Sequence, residues 1–125
     1  MTDTKKHVLI AEDDAFLAEI MQRVLTEHGL RVTVARDGQE AIDAITKEHP
    51  NLLLLDLLMP NVDGYGVLIH LQDKKITLPV VVLSNLSDKM NGDRCRQLGV
   101  ESYFVKSDMD EDQLWPLVDG ILKGH

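Results

Sequence analysis

The stretch Leu52-Leu53-Leu54-Leu55-Asp56 decides the fold. A strand of four leucines has no polar face, so it must be covered on both sides. An acid closes the run where a buried strand would leave its sheet. Four more apolar runs flank it: Val8–Ala11, Val32–Ala35, Val80–Leu83 and Tyr103–Val105. Val8–Ala11 and Val80–Leu83 are continuous too. Runs of this length and composition suit a parallel sheet under helices.

Between the runs the apolar spacing becomes helical. Leu17, Ile20, Met21, Val24 and Leu25 recur three and four apart, and Gly29 stops the pattern. Ala41, Ile42 and Ile45 make a second stripe, and Val67, Leu68 and Leu71 a third. A weaker one covers residues 88–98 through Cys95 and Leu98, stopped by Gly99. Leu114, Leu117, Val118, Ile121 and Leu122 form the last, stopped by Gly124. Strand then helix, five times over, predicts an α/β fold: a five-stranded parallel sheet of order 2-1-3-4-5, flavodoxin-like and doubly wound, with five helices. Residues 1–125 read as a single domain, long enough to bury a sizeable core.

Composition narrows the function. Apolar residues make up 44% and charged residues 27%, as in soluble globular domains. No apolar stretch is long enough to span a membrane, and Met1-Thr2-Asp3-Thr4-Lys5-Lys6 does not open a secretory signal. The single cysteine, Cys95, forms no internal disulfide, and a reducing, cytoplasmic compartment is expected. A net charge of −8 argues against non-specific nucleic-acid binding. The sequence has no repeat, low-complexity tract or linker-like stretch.

In open parallel sheets, ligands bind beyond the carboxyl ends of the strands, at the switch in strand order. Strands one and three flank that switch. Strand one ends in Glu12-Asp13-Asp14, strand three in Asp56, strand four in Ser84-Asn85 and strand five in Lys106-Ser107. Asp14 also reads as an N-cap, Ser84 as a loop hydroxyl and Lys106 as a solvated strand end. Their convergence is harder to explain so simply. Crowded carboxylates repel unless something cationic lies among them. Mg²⁺ answers that need, since it takes one or two carboxylates, waters and phosphate oxygens. Glu12, Asp13 and Asp56 fit as its ligands. Asp56 then has the setting of a nucleophile that accepts a phosphoryl group, with Lys106 and the Ser84 hydroxyl as phosphate contacts.

These residues carry a resemblance. Val8-Leu9-Ile10-Ala11-Glu12-Asp13-Asp14, Asp56-Leu57-Leu58-Met59-Pro60-Asn61-Val62-Asp63-Gly64, Ser84, and Gly99-Val100-Glu101-Ser102-Tyr103-Phe104-Val105-Lys106 follow in order, each at a strand end. Over nearly its full length the sequence resembles the receiver domains of bacterial two-component response regulators. The resemblance implies that Asp56 is the phosphoacceptor. It implies that Glu12 and Asp13 are the metal-binding pair, with the backbone carbonyl of Leu58 as a further ligand. Ser84 takes the place of the switch hydroxyl, Lys106 that of the lysine contacting the phosphoryl group, and Tyr103 that of the aromatic switch residue. The tyrosine also reads simply as a half-buried strand aromatic. The implied partners are a sensor histidine kinase or a histidine phosphotransfer protein upstream, small phosphodonors, and a protein partner downstream. Neither nucleic acid nor membrane insertion is implied.

The sequence departs from the family in places. Ser107 follows Lys106 where proline is usual, so a trans Lys106–Ser107 peptide and a rearranged loop are expected. Asn85 replaces a small residue beside Ser84. Leu58 and Leu86 flank the path of the hydrolytic water and cannot orient it by hydrogen bonding, so slow autodephosphorylation is expected. Pro116 within the last stripe implies a kink or a start later than Asp110. Trp115 reads as core edge or as a partner anchor.

The chain is thus expected to be a phosphorelay switch that modifies itself, not a turnover enzyme. With Gly124-His125 at its end, it is expected to act through protein contact or as a phosphate relay. A receiver excised from a larger regulator or a hybrid kinase is one alternative. A phosphate-independent pseudo-receiver is another, motivated by Asn85 and Ser107. An aspartate-based phosphatase is disfavoured by Leu58, where its second aspartate would stand. A flavin binder is disfavoured by the acidic residues after strand one.

Overall fold

The computed structural model describes residues 5–86 and 89–124. Five strands alternate with five helices: β1 (His7–Ala11), α1 (Ala15–Glu27), β2 (Arg31–Ala35), α2 (Gly38–Glu48), β3 (Leu52–Leu55), α3 (Gly64–Asp73), β4 (Val80–Ser84), α4 (Lys89–Gln97), β5 (Ser102–Val105) and α5 (Glu111–Lys123). The sheet order is β2-β1-β3-β4-β5, as the alternation predicts. Every neighbouring pair is parallel, with Val8 opposite both Val32 and Leu52 in β1's two ladders. Asp88, the first residue of the weak fourth stripe, lies outside the described residues, as do Met1–Thr4 and His125.

The four leucines of β3 show why the run is unbroken. Leu53 and Leu55 pack with Ala41, Ile45, Val67, Leu68 and Cys95 from α2, α3 and α4. Leu52 and Leu54 pack on the opposite face with Met21, Leu25, Leu114 and Val118 from α1 and α5. All four are essentially inaccessible, and burying each contributes about 2 kcal/mol. The central strand is therefore held from both sides, which makes its carboxyl end a rigid platform.

Acidic residues start α1, α2 and α3. Asp14 accepts from the Phe16 and Leu17 N–H groups at 3.1 and 3.2 Å, confirming its reading as an N-cap. Asp37 accepts from Glu40 N–H at 2.8 Å and Asp63 from Gly66 N–H at 2.9 Å. Each cap satisfies a free donor and places negative charge at a positive helix end.

α5 begins at Glu111 and continues through Pro116, which is therefore interior. Its missing N–H leaves the Asp112 carbonyl without the usual helix donor. Trp115 packs against the α1–α5 core and stacks on His28, ring centroids 4.2 Å apart. That is the core-edge reading. No peptide among the described residues is cis, so Lys106–Ser107 is trans, and a short 3₁₀ turn over Lys106–Asp108 follows β5.

Candidate functional site

The site forms where two backbone ladders run one residue past their strands. Glu12 N–H donates to the Ala35 carbonyl and Asp56 N–H to the Ala11 carbonyl, each at 3.0 Å. These bonds set the two acids side by side at the carboxyl edge of β1 and β3. Glu12 is 1% exposed and Asp56 6%, so neither charge is dissolved in water. Asp13 is exposed. Glu12, Asp13 and Asp56 each offer a carboxylate oxygen, and these oxygens lie within 4.8 Å of one another. That all-oxygen donor set fits a hard divalent cation.

Lys106 reaches into this cluster from the end of β5. Its Nζ donates to Asp56 Oδ2 at 2.9 Å and forms a close ion pair with Glu12 Oε1. Glu12 Oε2 accepts from Asp14 N–H at 3.1 Å. Burial pushes the Glu12 carboxyl up to about 7, against the pull of Lys106 and the Asp14 N–H. Burial works to lower the Lys106 ammonium, but pairing with Glu12 and Asp56 outweighs it and holds the group above its usual range. The lysine thus balances two buried carboxylates and lies against Asp56 Oδ2.

Ser84 ends β4 and is fully buried. Among the described residues its hydroxyl makes no hydrogen bond to Asp56; instead its Oγ accepts from Leu86 N–H at 3.3 Å. The Leu86 carbonyl accepts a close hydrogen bond from the Tyr103 hydroxyl. Ser84 and Tyr103 are therefore joined through one residue of the β4–α4 loop. Tyr103 itself is half-buried against the core, so its strand-aromatic reading holds alongside this contact. Leu58 follows Asp56 in its loop, its N–H 3.4 Å from Asp56 Oδ1 and its side chain 57% exposed. Leu86 is half-buried and Asn85 exposed.

Two neighbours escape the sequence reading. Arg36 Nη2 donates to the Asp13 carbonyl at 3.0 Å, and Asn61 Nδ2 donates to Asp37 Oδ2 at 2.5 Å. Arg36-Asp37 stands at the carboxyl end of strand two, so the strand-end rule that found the other residues also points there. The simultaneous pairing of Lys106 with Glu12 and Asp56 has no sequence signal, since it depends on how far the lysine enters the site.

Comparison with known proteins agrees with this geometry. The family model described as the response regulator receiver domain matches residues 8–119. The probable transcriptional regulator ycf27 of Porphyridium aerugineum is 39% identical over 102 residues, 82% of this chain and 42% of that protein. The DNA-binding transcriptional regulator NtrC of Klebsiella pneumoniae is 34% identical over 110 residues, 88% of this chain and 23% of that protein. The chain thus spans less than half the length of these curated relatives. Among solved structures, the receiver domain of Francisella response regulator 1452 superposes with a TM-score of 0.88 at 31% identity, covering 95% of this chain and 98% of that one. The receiver domain of a signal transduction histidine kinase from Syntrophus aciditrophicus gives 0.84 at 30% identity, covering 95% and 91%. With its sheet order, its acidic edge and these matches, the chain belongs to the response regulator receiver domain family of two-component systems.

Proposed function

We propose that the chain is a phosphoacceptor that takes a phosphoryl group on Asp56 from a phosphohistidine protein and signals through the β4–α4 and β5 surface. The observation that carries this reading is Asp56 itself: a nearly buried carboxylate against a lysine and within reach of two further acids. An Asp56 oxygen attacks phosphorus, the bond from phosphorus to the donor breaks, and its electron pair leaves with the donor. Such a transfer needs positioning and charge neutralisation more than covalent help. Glu12, Asp13, Asp56 and the Leu58 carbonyl would hold Mg²⁺, which supplies positive charge against the phosphoryl oxygens. Lys106 needs little movement to contact the same oxygens, because its Nζ is already 2.9 Å from Asp56 Oδ2.

The Ser84 hydroxyl donates to the new phosphoryl group. Drawing Ser84 toward Asp56 disturbs the Leu86 N–H bond, and the Leu86 carbonyl then shifts against Tyr103. This chain of contacts couples the site to the face on which a downstream protein would dock. The protein modifies itself: the dephosphorylated donor departs after the transfer, and phosphate departs when the adduct hydrolyses. A sensor kinase or phosphotransfer protein is the natural donor, and the cytoplasm the natural setting. No helix among the described residues is long and apolar enough to cross a membrane.

The test is incubation with Mg²⁺ and acetyl phosphate, read by intact mass. The chain should gain one phosphoryl group, and Asp56→Asn or removal of Mg²⁺ should abolish the gain. An unmodified wild-type chain, with acetyl phosphate and with phosphohistidine donors alike, would favour a phosphate-independent interaction module. Hydrolysis of the adduct should be slow, because the side chains of Leu58 and Leu86 present no polar atom to an incoming water. Leu58→Asn should shorten the lifetime measured by loss of that mass. A lifetime of seconds in the wild type, unchanged in the variant, would refute the shielding role.

A further inference from the structure

We propose that Arg36 is a positioning residue for the divalent-cation site, acting through a corner of chain that braces the two loops carrying the cation's ligands. The inference rests on the reading that Glu12, Asp13 and Asp56 hold Mg²⁺. Glu12 and Asp56 are both held by Lys106. Asp13 is different: it is exposed, and among the described residues its carboxylate has no hydrogen-bond partner. What fixes Asp13 is its backbone, whose carbonyl accepts from Arg36 Nη2 at 3.0 Å.

Arg36 is itself anchored. Its N–H donates to Glu40 Oε1 at 3.0 Å, tying it to the first turn of α2. The next residue, Asp37, caps α2 with one oxygen and accepts from Asn61 Nδ2 with the other. Asn61 belongs to the loop after Asp56 and has a left-handed backbone, φ 65. Gly38 then presses on the same loop: a Cβ there would lie 2.0 Å from the Val62 carbonyl oxygen. Arg36-Asp37-Gly38 therefore touches the β1 loop at one end and the β3 loop at the other. Outer contacts of this kind set the orientation of metal ligands, and losing one typically costs roughly 10- to 100-fold in metal affinity.

Charge and position make opposite claims, which allows a clean test. Arg36 is a cation beside an acidic site, so by charge alone its removal should tighten Mg²⁺ binding. If its role is to hold Asp13, removal should weaken it. Mg²⁺ alone is titrated calorimetrically into the full chain and its variants. Arg36→Met should bind Mg²⁺ roughly 10-fold more weakly, the lower end for an outer contact at an exposed residue. Arg36→Lys should recover part of that loss, because it restores a donor. Asn61→Gly tolerates the left-handed backbone but removes the other end of the brace, and it should also weaken binding. Melting temperatures in EDTA should stay near the wild-type value for all three. Equal or tighter binding by Arg36→Met overturns the proposal while leaving the metal reading intact. A loss of affinity matched by a lower melting temperature, with no recovery in Arg36→Lys, overturns it too, since general loosening then suffices. A wild-type chain that binds no Mg²⁺ removes the metal reading and this inference together.

Discussion

Replacing Lys106 with methionine is expected to destabilise the metal-free protein by about 3 kcal/mol, the lower end for removing one partner of a buried ion pair. The side chains involved are 15% exposed for Lys106, 2% for Glu12 and 7% for Asp56, so water cannot take over the lysine's part. The variant leaves two carboxylates facing each other without a cation. For a chain of this size the loss corresponds to a fall of roughly 10 °C in melting temperature. Its pH dependence follows from Glu12, whose carboxyl burial already raises. Without Lys106 the folded state binds that proton more tightly still than the unfolded state does. The stability deficit should therefore be greatest at alkaline pH and shrink as pH falls and Glu12 becomes protonated. Urea midpoints at about pH 8 and about pH 5.5 check the sign. Mg²⁺ should restore part of the loss at the higher pH, since it also neutralises the cluster. A deficit that grows on acidification, or that Mg²⁺ leaves unchanged, would show that Lys106 does not balance these acids.

Gly64→Ala is the second large effect. Gly64 opens α3, and its N–H donates to the Leu57 carbonyl at 2.9 Å. A Cβ there would lie 2.5 Å from the Asp56 carbonyl oxygen and 2.7 Å from Leu57 Cα. Both are backbone atoms and neither can turn aside. Relief requires α3 to move away from the end of β3, or the Asp56 backbone to shift. The expected cost is about 3 kcal/mol, high in the range for overpacking. Phosphorylation should fall even in the fraction that folds, because the displaced residue is the proposed acceptor. Gly120→Ala is the matched control. It lies on α5 with nothing within 4 Å of the added carbon, and should stabilise the protein by about 0.5–1 kcal/mol. Denaturation curves of the pair check both. Equal behaviour would mean that α3 does not rest on the acceptor strand as closely as the distances require.

Much of this arrangement is legible in the amino-acid sequence. Leu52–Leu55 reads as a strand covered on both faces because each leucine must find a core, and the two packing layers supply one for each. The strand-end rule finds Glu12, Asp56, Ser84 and Lys106 because topology alone brings strand ends to one edge. What the rule cannot give is reach and direction. Lys106 is legible as a neighbour of Asp56, but its simultaneous grip on Glu12 depends on how far the side chain enters the site. Ser84 is legible as a hydroxyl at the edge, yet here its oxygen engages the Leu86 N–H rather than Asp56. Arg36 stands at a strand end too, but its bond to the backbone carbonyl of Asp13 is not legible, because sequence patterns do not display backbone partners. For Pro116 the reading of a start later than Asp110 holds, since α5 begins at Glu111; the helix then continues through the proline, with Leu114, Val118 and Leu122 buried.

Asp56, and none of its acidic neighbours, is expected to become an acyl phosphate. Borohydride tests it most directly, because it reduces an aspartyl phosphate to homoserine and leaves free carboxylates alone. The chain is treated with Mg²⁺ and acetyl phosphate, reduced, digested and sequenced by mass. Homoserine should appear at position 56 and be absent when either reagent is omitted. Homoserine at Asp13 or Asp14, or an unreduced position 56 in a chain whose mass had risen by one phosphoryl group, would contradict it.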